Sequence, residues 1–330
     1  MRRSFVAALA VVLVETAMPA SALAQTPTKL PRVGILYFPT EPAGDPARQG
    51  FGRGMRELGY IDGRNVSLVW RYAGGDPARL PALAAELVAL KLDVILAGGP
   101  GPFAALRSLH DATPIVSVGG GDPVGEGWAS SLARPGGTMT GLSVTFPELG
   151  PKRLELAKEA IPGIARVAVL LAPAELPHRG ADDIAMMAAA ARSLGLKMQV
   201  IEAADPSDFE RAIRAAKQGG AQALLTVDTT FILTERARVA SLAEKERLPV
   251  IGEFGVFGMD GVLMAYGADI DDLLRRAASY VDRILKGARA GDLPVERPSK
   301  LDLIVNRRVA RELGITLPSS LLARADRIVE

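Results

Sequence analysis

The chain has no cysteine and only two histidines, His110 and His178. The first absence excludes disulfides, thiolate metal sites, a thiol nucleophile and a lipidated N-terminal cysteine. The second, with no partner clustered around either histidine, removes most zinc sites and most histidine-dependent catalysis. Charge of one sign is also lacking: 39 Lys and Arg stand against 37 Asp and Glu, a formal net charge of +2. No block of like charge concentrates the positive residues, so the electrostatic footprint of a nucleic-acid binder is missing and no nucleic-acid partner is expected. Three catalytic signatures are absent: G-x-S-x-G, G-x-x-x-x-G-K-[ST] and H-E-x-x-H. No catalytic residue, metal or cofactor is expected.

What is present describes a globular chain. Hydrophobic residues make up 48% and charged residues 23% of 330, which is ordinary for folded soluble proteins, and the length suggests about two domains. Met1-Arg2-Arg3, an apolar run over 5–14 and Ala22-Leu23-Ala24 form the pattern of a secretory signal peptide, 1–24, cleaved after Ala24. The paired arginines leave both the general and the twin-arginine export routes open. No later stretch of 18 apolar residues occurs, so the mature chain is expected in the periplasm without membrane insertion.

Short β-branched runs alternate with helical patterns, which predicts α/β architecture with parallel strands. Strands are expected at 32–37, 66–70, 94–97 and 115–118, with helices at 46–58, 80–90 and 103–109 between them. The second half repeats the rhythm: strands at 167–171, 198–201, 223–227 and 250–252, helices at 181–194, 208–218 and 233–246. Arg32-Val33-Gly34-Ile35-Leu36 and Arg166-Val167-Ala168-Val169-Leu170 lie at nearly the same offset as two further strand pairs. Two Rossmann-like lobes joined by a hinge follow. The first is expected over 25–141, completed by about 267–297, and the second over 142–266, completed by about 298–330. A long helix at 269–285, a strand at 301–305 and two closing helices supply those late segments.

Open parallel sheets bind ligands beyond the carboxyl ends of their strands. Those ends read Tyr37-Phe38-Pro39, Gly98-Gly99-Pro100-Gly101-Pro102-Phe103 and Gly119-Gly120-Gly121-Asp122 in the first half. In the second they read Asp228-Thr229-Thr230-Phe231 and Glu253-Phe254. Aromatics are scarce, at 5%, yet several fall at these tips. Tyr37, Phe38, Phe254 and Tyr266 are candidates to flank an apolar or ring portion of a ligand. Backbone N–H groups of Gly98, Gly99, Gly101 and Asp122, beside Pro100, are candidates to hold a carboxylate. Asp228 and Glu253 are candidates for an ammonium or hydroxyl groups, with Thr229 and Ser143 as further polar contacts. Each aromatic has the competing role of capping its own lobe's core, and each carboxylate that of capping a helix. Gly99-Pro100-Gly101-Pro102-Phe103-Ala104 fits G-x-G-x-x-A, but two prolines remove N–H donors and the strand is not the first of its lobe, which counts against a dinucleotide site.

Several stretches together resemble one family. They are Asp122-Pro123-Val124 followed by Ser131-Leu132-Ala133-Arg134-Pro135-Gly136-Gly137-Thr138-Met139-Thr140-Gly141, then Gln49-Gly50-Phe51, Glu57-Leu58-Gly59-Tyr60, Lys152-Arg153-Leu154-Glu155-Leu156 and Asp302-Leu303-Ile304-Val305-Asn306. The combination is similar to the tryptophan/tyrosine-type substrate-binding proteins of ABC transporters, of type I periplasmic-binding fold. The resemblance implies a non-catalytic receptor. It would close two lobes over a small organic solute, amino-acid-like or an aromatic or apolar acid, and deliver it to an inner-membrane permease with a cytoplasmic ATPase. Thr229 stands where the family usually carries Asn, and Gly98-Gly99-Pro100 replaces Ala-Thr-Pro, departures that count against an aromatic amino acid as ligand. A receptor docking a membrane sensor, or an exported α/β enzyme using the same cleft, are the alternatives.

Overall fold

The structure, a computed structural model, describes residues 30–39, 46–144, 148–173, 180–227, 229–254, 261–298 and 300–330. The expected leader, 1–24, and Asp228 lie outside the described residues.

The first sheet grows from apolar runs buried on both faces, as parallel strands covered by helices require. In chain order come β1 (Arg32–Tyr37), α1 (Pro46–Glu57), β2 (Ser67–Tyr72), α2 (Leu80–Ala89), β3 (Val94–Gly98), α3 (Pro100–Arg107), β4 (Ile115–Val118) and β5 (Met139–Leu142). The strands are all parallel, in the order β2-β1-β3-β4-β5. Successive side chains point to opposite faces. Val33, Ile35, Val94 and Leu96 share a core with Phe51 and Met55 of α1. Leu36, Ile95 and Ala97 share another with Leu80, Leu87 and Phe103 of α2 and α3.

The second sheet follows with α4 (Leu149–Ala160), β6 (Arg166–Leu171), α5 (Gly180–Ser193), β7 (Lys197–Glu202), α6 (Asp208–Gln218), β8 (Ala223–Thr226), α7 (Thr230–Thr234), α8 (Arg236–Lys245), β9 (Val250–Gly252) and β10 (Met264–Ala268). After α9 (Ile270–Leu285) the chain adds β11 (Leu301–Asn306), α10 (Arg307–Leu313), α11 (Ser319–Arg324) and β12 (Arg327–Val329). The strand order is β12-β11-β10-β9-β8-β6-β7, with only β11 antiparallel to its neighbour β10. The run β7-β6-β8-β9-β10 repeats the order of the first sheet. The chain is therefore mixed α/β with parallel sheets in two lobes, as the repeated rhythm predicts.

Three boundaries differ from the sequence reading. The helix expected from 103 begins at Pro100, because proline's fixed φ suits a first helical position. The helix expected over 233–246 is broken into α7 and α8 at Glu235. Helix α4 and strand β12 had no counterpart among the expected elements.

The lobes are sewn together by three passages of the chain: from β5 to α4, from β10 to α9, and from the segment after α9 to β11. Helix α9 packs along α1 and across β3 to β5, so it belongs to the first sheet although it follows the second. The segment 287–298 then runs beside β5. Gly136 N–H donates to Gly291 O (3.0 Å), Val295 N–H to Leu132 O (2.7 Å), Glu296 N–H to Gly141 O (3.0 Å) and Ser143 N–H to Glu296 O (2.9 Å). These bonds cover what would be a bare sheet edge, and they fall on the Ser131 to Gly141 stretch singled out above. Tyr280 of α9 donates to Pro294 O (2.9 Å), and burial pushes its phenol well above the ordinary value.

Helix α9 starts at Asp269, whose carboxylate accepts from Asp271 N–H (2.9 Å) and Asp272 N–H (3.2 Å). Asp269→Ala is expected to lower stability by about 1 kcal/mol through loss of this cap, read from the urea midpoint. An unchanged midpoint would show that the cap is redundant.

Candidate ligand-binding site

Where strand order reverses, two neighbouring strands send their chains to opposite faces and leave a crevice at their carboxyl ends. In the first lobe that point lies between β1 and β3, at Tyr37 and Gly98. The Tyr37 ring lies against the Gly98 backbone: a Cβ at Gly98 would stand 2.3 Å from a ring carbon. Beside them a cleft of about 50 Å3 opens. Among the described residues, Tyr37, Pro39, Gly98, Gly99, Pro100, Val118, Gly119 and Val144 line it, with Ile270 and Leu274 of α9. Leu233 and Phe254 line it from the second lobe. Buried side chains of the two lobes belong to one continuous cluster, Val118 and Val144 with Phe231 and Phe254 among them.

Five of the candidates read from the sequence thus line one cleft: Tyr37, Gly98, Gly99 and Pro100 from the first lobe and Phe254 from the second. Others are placed differently. Phe38 is 2% exposed and packs with Leu36, Leu80 and Leu87 in its own lobe; strand alternation turns it away from Tyr37's side. Phe103 packs on Trp128 (centroids 4.8 Å apart) and Phe231 on Phe209 (5.0 Å), both inside lobe cores. Tyr266 is half-buried against the core under α4 and α5. The Asp122 carboxylate accepts from Val124 N–H (3.2 Å) within its own turn. Thr229 caps α7 by accepting from Ile232 N–H (3.1 Å). Ser143 is buried and its hydroxyl donates to Gly121 O (3.4 Å).

Part of the N–H set expected on the glycine tips is engaged within the protein. Gly99 N–H donates to Val118 O (2.8 Å) and Asp122 N–H to Glu126 Oε1 (3.2 Å). Pro100 and Pro102 have no N–H, so Gly101 is the one donor in the first three positions of α3. The described lining of this wall is mostly apolar.

Glu253 also departs from expectation. Its Oε2 faces Arg153 Nη1 at 3.1 Å, and each side chain is only 4% exposed. Arg153 Nε and Nη1 and Glu253 Oε2 make no bond of hydrogen-bonding geometry. Arg153 comes from α4, one turn past the first passage between lobes. The pair therefore sits at the carboxyl edge of the second sheet, directly behind Phe254.

The geometry so far is that of two homologous lobes enclosing a small apolar cleft at their strand ends. A family model for ABC transporter substrate-binding proteins matches residues 32–329. The chain belongs to this family.

This substrate-binding protein is 26% identical over 288 residues to a tyrosine-binding protein of Clostridioides difficile, covering 87% of this chain and 82% of that one. A conserved domain protein of Vibrio cholerae of known structure is 28% identical, with a TM-score of 0.84 over 91% of this chain and all of the other. A Streptococcus pneumoniae domain solved in complex with L-Trp is 23% identical, with a TM-score of 0.83 and the same coverage. The family's role is to bind a substrate, not to transform it. Among the described residues no helix is long and apolar enough to cross a membrane.

Sequence reasoning missed Arg153, Leu233, Val144, Ile270 and Leu274 of this substrate-binding protein. Ile270 and Leu274 carry a signal in hindsight, being one turn apart on the apolar face of α9 and just after its cap. Arg153 carried one too, as part of the Lys152 to Leu156 stretch already singled out.

Proposed function

We propose that the chain is the exported receptor of an ABC importer, a periplasmic protein whose leader is removed after Ala24. It holds a small organic solute with an apolar body and presents it to a permease driven by a cytoplasmic ATPase. Its first lobe, 25–141 completed by 267–297, closes against its second, 142–266 completed by 298–330, about the three passages of the chain. The observation that carries this reading is that one cleft takes its wall from both lobes, Tyr37 and Gly98 on one side and Leu233 and Phe254 on the other. A solute touching both walls makes its full contacts only when the lobes are together, so binding shifts the open–closed equilibrium toward closure. Tyr37, Gly98, Gly99, Pro100 and Phe254 form its contact surface. Asp228, by its place in the sequence after β8, is assigned to its polar end.

The test is a thermal-shift screen of residues 25–330 against amino acids, aliphatic and aromatic acids, purines and sugars, followed by calorimetry on the hits. A solute that binds the native state raises the melting temperature in proportion to the logarithm of its concentration. It is expected to come back unaltered after incubation. Phe254→Ala is expected to weaken binding by about tenfold or more, as loss of a buried aromatic anchor does. A consumed solute would overturn the receptor reading, and unchanged affinity would remove Phe254 from the contact surface.

A further inference from the structure

We infer that Tyr37 sets the size of the solute, excluding aromatic rings from the cleft and admitting short aliphatic groups. The inference rests on the receptor reading above and adds the class of solute.

Space decides first. The cleft between the touching lobes measures about 50 Å3, whereas an apolar cavity of about 150 Å3 is what admits benzene. A third of that room suits a short branched alkyl group. Tyr37 narrows the cleft, because its ring stands in the crevice at the carboxyl ends of β1 and β3.

The ring also has nowhere to retreat. Below it lies the Gly98 backbone, so near that a Cβ there would stand 2.3 and 2.7 Å from two ring carbons. Beside it is Tyr72, edge to face at 6.4 Å and directly opposite in the β1–β2 register. Tyr72 stacks on Trp70 at 5.8 Å with planes 9° apart, and Trp70 meets Phe51 of α1 at 6.3 Å. The Arg48 guanidinium caps this ladder 5.3 Å from the Trp70 ring centre. Three rings, two from β2 and one from α1, therefore back Tyr37, with Tyr72 paired directly to it, and aromatic pairs of this kind keep their geometry. A binding site rejects an oversized ligand when the group in its way cannot move. The side chains that line the cleft among the described residues, Val118, Val144, Leu233, Phe254, Ile270 and Leu274 with them, are apolar, which with the small volume favours an aliphatic group.

Residues 25–330 would be titrated with two size series that differ in head group: L-valine, L-leucine, L-tyrosine and L-tryptophan, and isobutyrate, isovalerate and indole-3-acetate. The wild type is expected to bind the best aliphatic member at least tenfold more tightly than any aromatic member of the same series. Tyr37→Ala is expected to reverse the order, gaining at least tenfold for the aromatic member and losing affinity for the aliphatic one. Tyr37→Phe should keep the wild-type order, because the ring and not the hydroxyl excludes. Tyr37→Leu repeats the test should the alanine variant not fold. An aromatic preference in the wild type, or an unreversed order in a folded Tyr37→Ala or Tyr37→Leu variant, overturns the inference and leaves the receptor reading intact. Binding of no member of either series, by wild type or variant, overturns both for these solute classes.

Discussion

Arg153→Ala is expected to destabilise the second lobe by about 3–5 kcal/mol, the cost of leaving a buried carboxylate without its counter-charge. Glu253 is buried, its charged partner among the described residues is Arg153 at 3.1 Å, and no described group hydrogen-bonds its Oε2. Removing the guanidinium leaves that charge in a medium that solvates it poorly. The double change Arg153→Met with Glu253→Met is expected to behave oppositely. It removes both charges, keeps most of the volume, and should return stability to within about 1 kcal/mol of the wild type or above it. Urea unfolding followed by circular dichroism separates the cases. If Arg153→Ala moved the midpoint no more than the double change does, the pair would have to be solvated rather than buried. Because Glu253 precedes Phe254, the single change should also loosen one wall of the cleft.

Gly141→Val is the second change with a large expected effect, about 4 kcal/mol or more, enough to leave the first lobe unfolded or insoluble. Gly141 has a φ of +145°, and a Cβ there would stand 2.0 Å from Ser117 O and 2.6 Å from Ser117 N. Both atoms are backbone of the paired strand β4, so nothing can swing aside. The clash would part β4 from β5 and break the bond from Glu296 N–H to Gly141 O that holds the returning segment. Gly127→Ala is the control. Gly127 also has a positive φ, +72°, but a Cβ there meets nothing within 4 Å. Its cost is conformational only, about 1–2 kcal/mol. Equal losses of soluble expression and of thermal stability in the two variants would mean that backbone conformation, not contact, sets the requirement at 141.

The sequence made the fold legible because its strands are short apolar runs and its helices carry periodic faces. It made α4 illegible because Gly150-Pro151 in the first turn reads as a loop and Glu148 makes no side-chain cap. Arg153 was lost with that helix, and with it the partner of Glu253. Strand β12 was hidden by its brevity and by the exposure of Arg327 and Ile328. The strand-end loops named from the sequence supply part of the cleft lining, and some of the side chains within them face elsewhere. Phe38 and Tyr37 are neighbours of similar chemistry, and only the face of β1 on which each lands tells wall from core. The glycine tips advertised N–H donors, but the sheet and a turn carboxylate had already engaged part of them, a matter of pairing across 20 residues or fewer that composition does not record. Leu233 and Val144 carry no chemical signal; they matter because the lobes bring them opposite Tyr37.

The late position of α9 in the chain governs when the first lobe can fold. The hydrogen bond from Tyr60 to Asp282 (3.0 Å) joins residues 222 positions apart, and Leu273, Leu274, Ala277 and Val281 fill the core beside Phe51 and Met55. Closing so long a loop is slow, and its entropy is lost before any contact rewards it. Until most of the chain has emerged from the ribosome, the apolar face of the first sheet stays uncovered. A chain built this way withholds the folding of its first lobe through synthesis until α9 has been made.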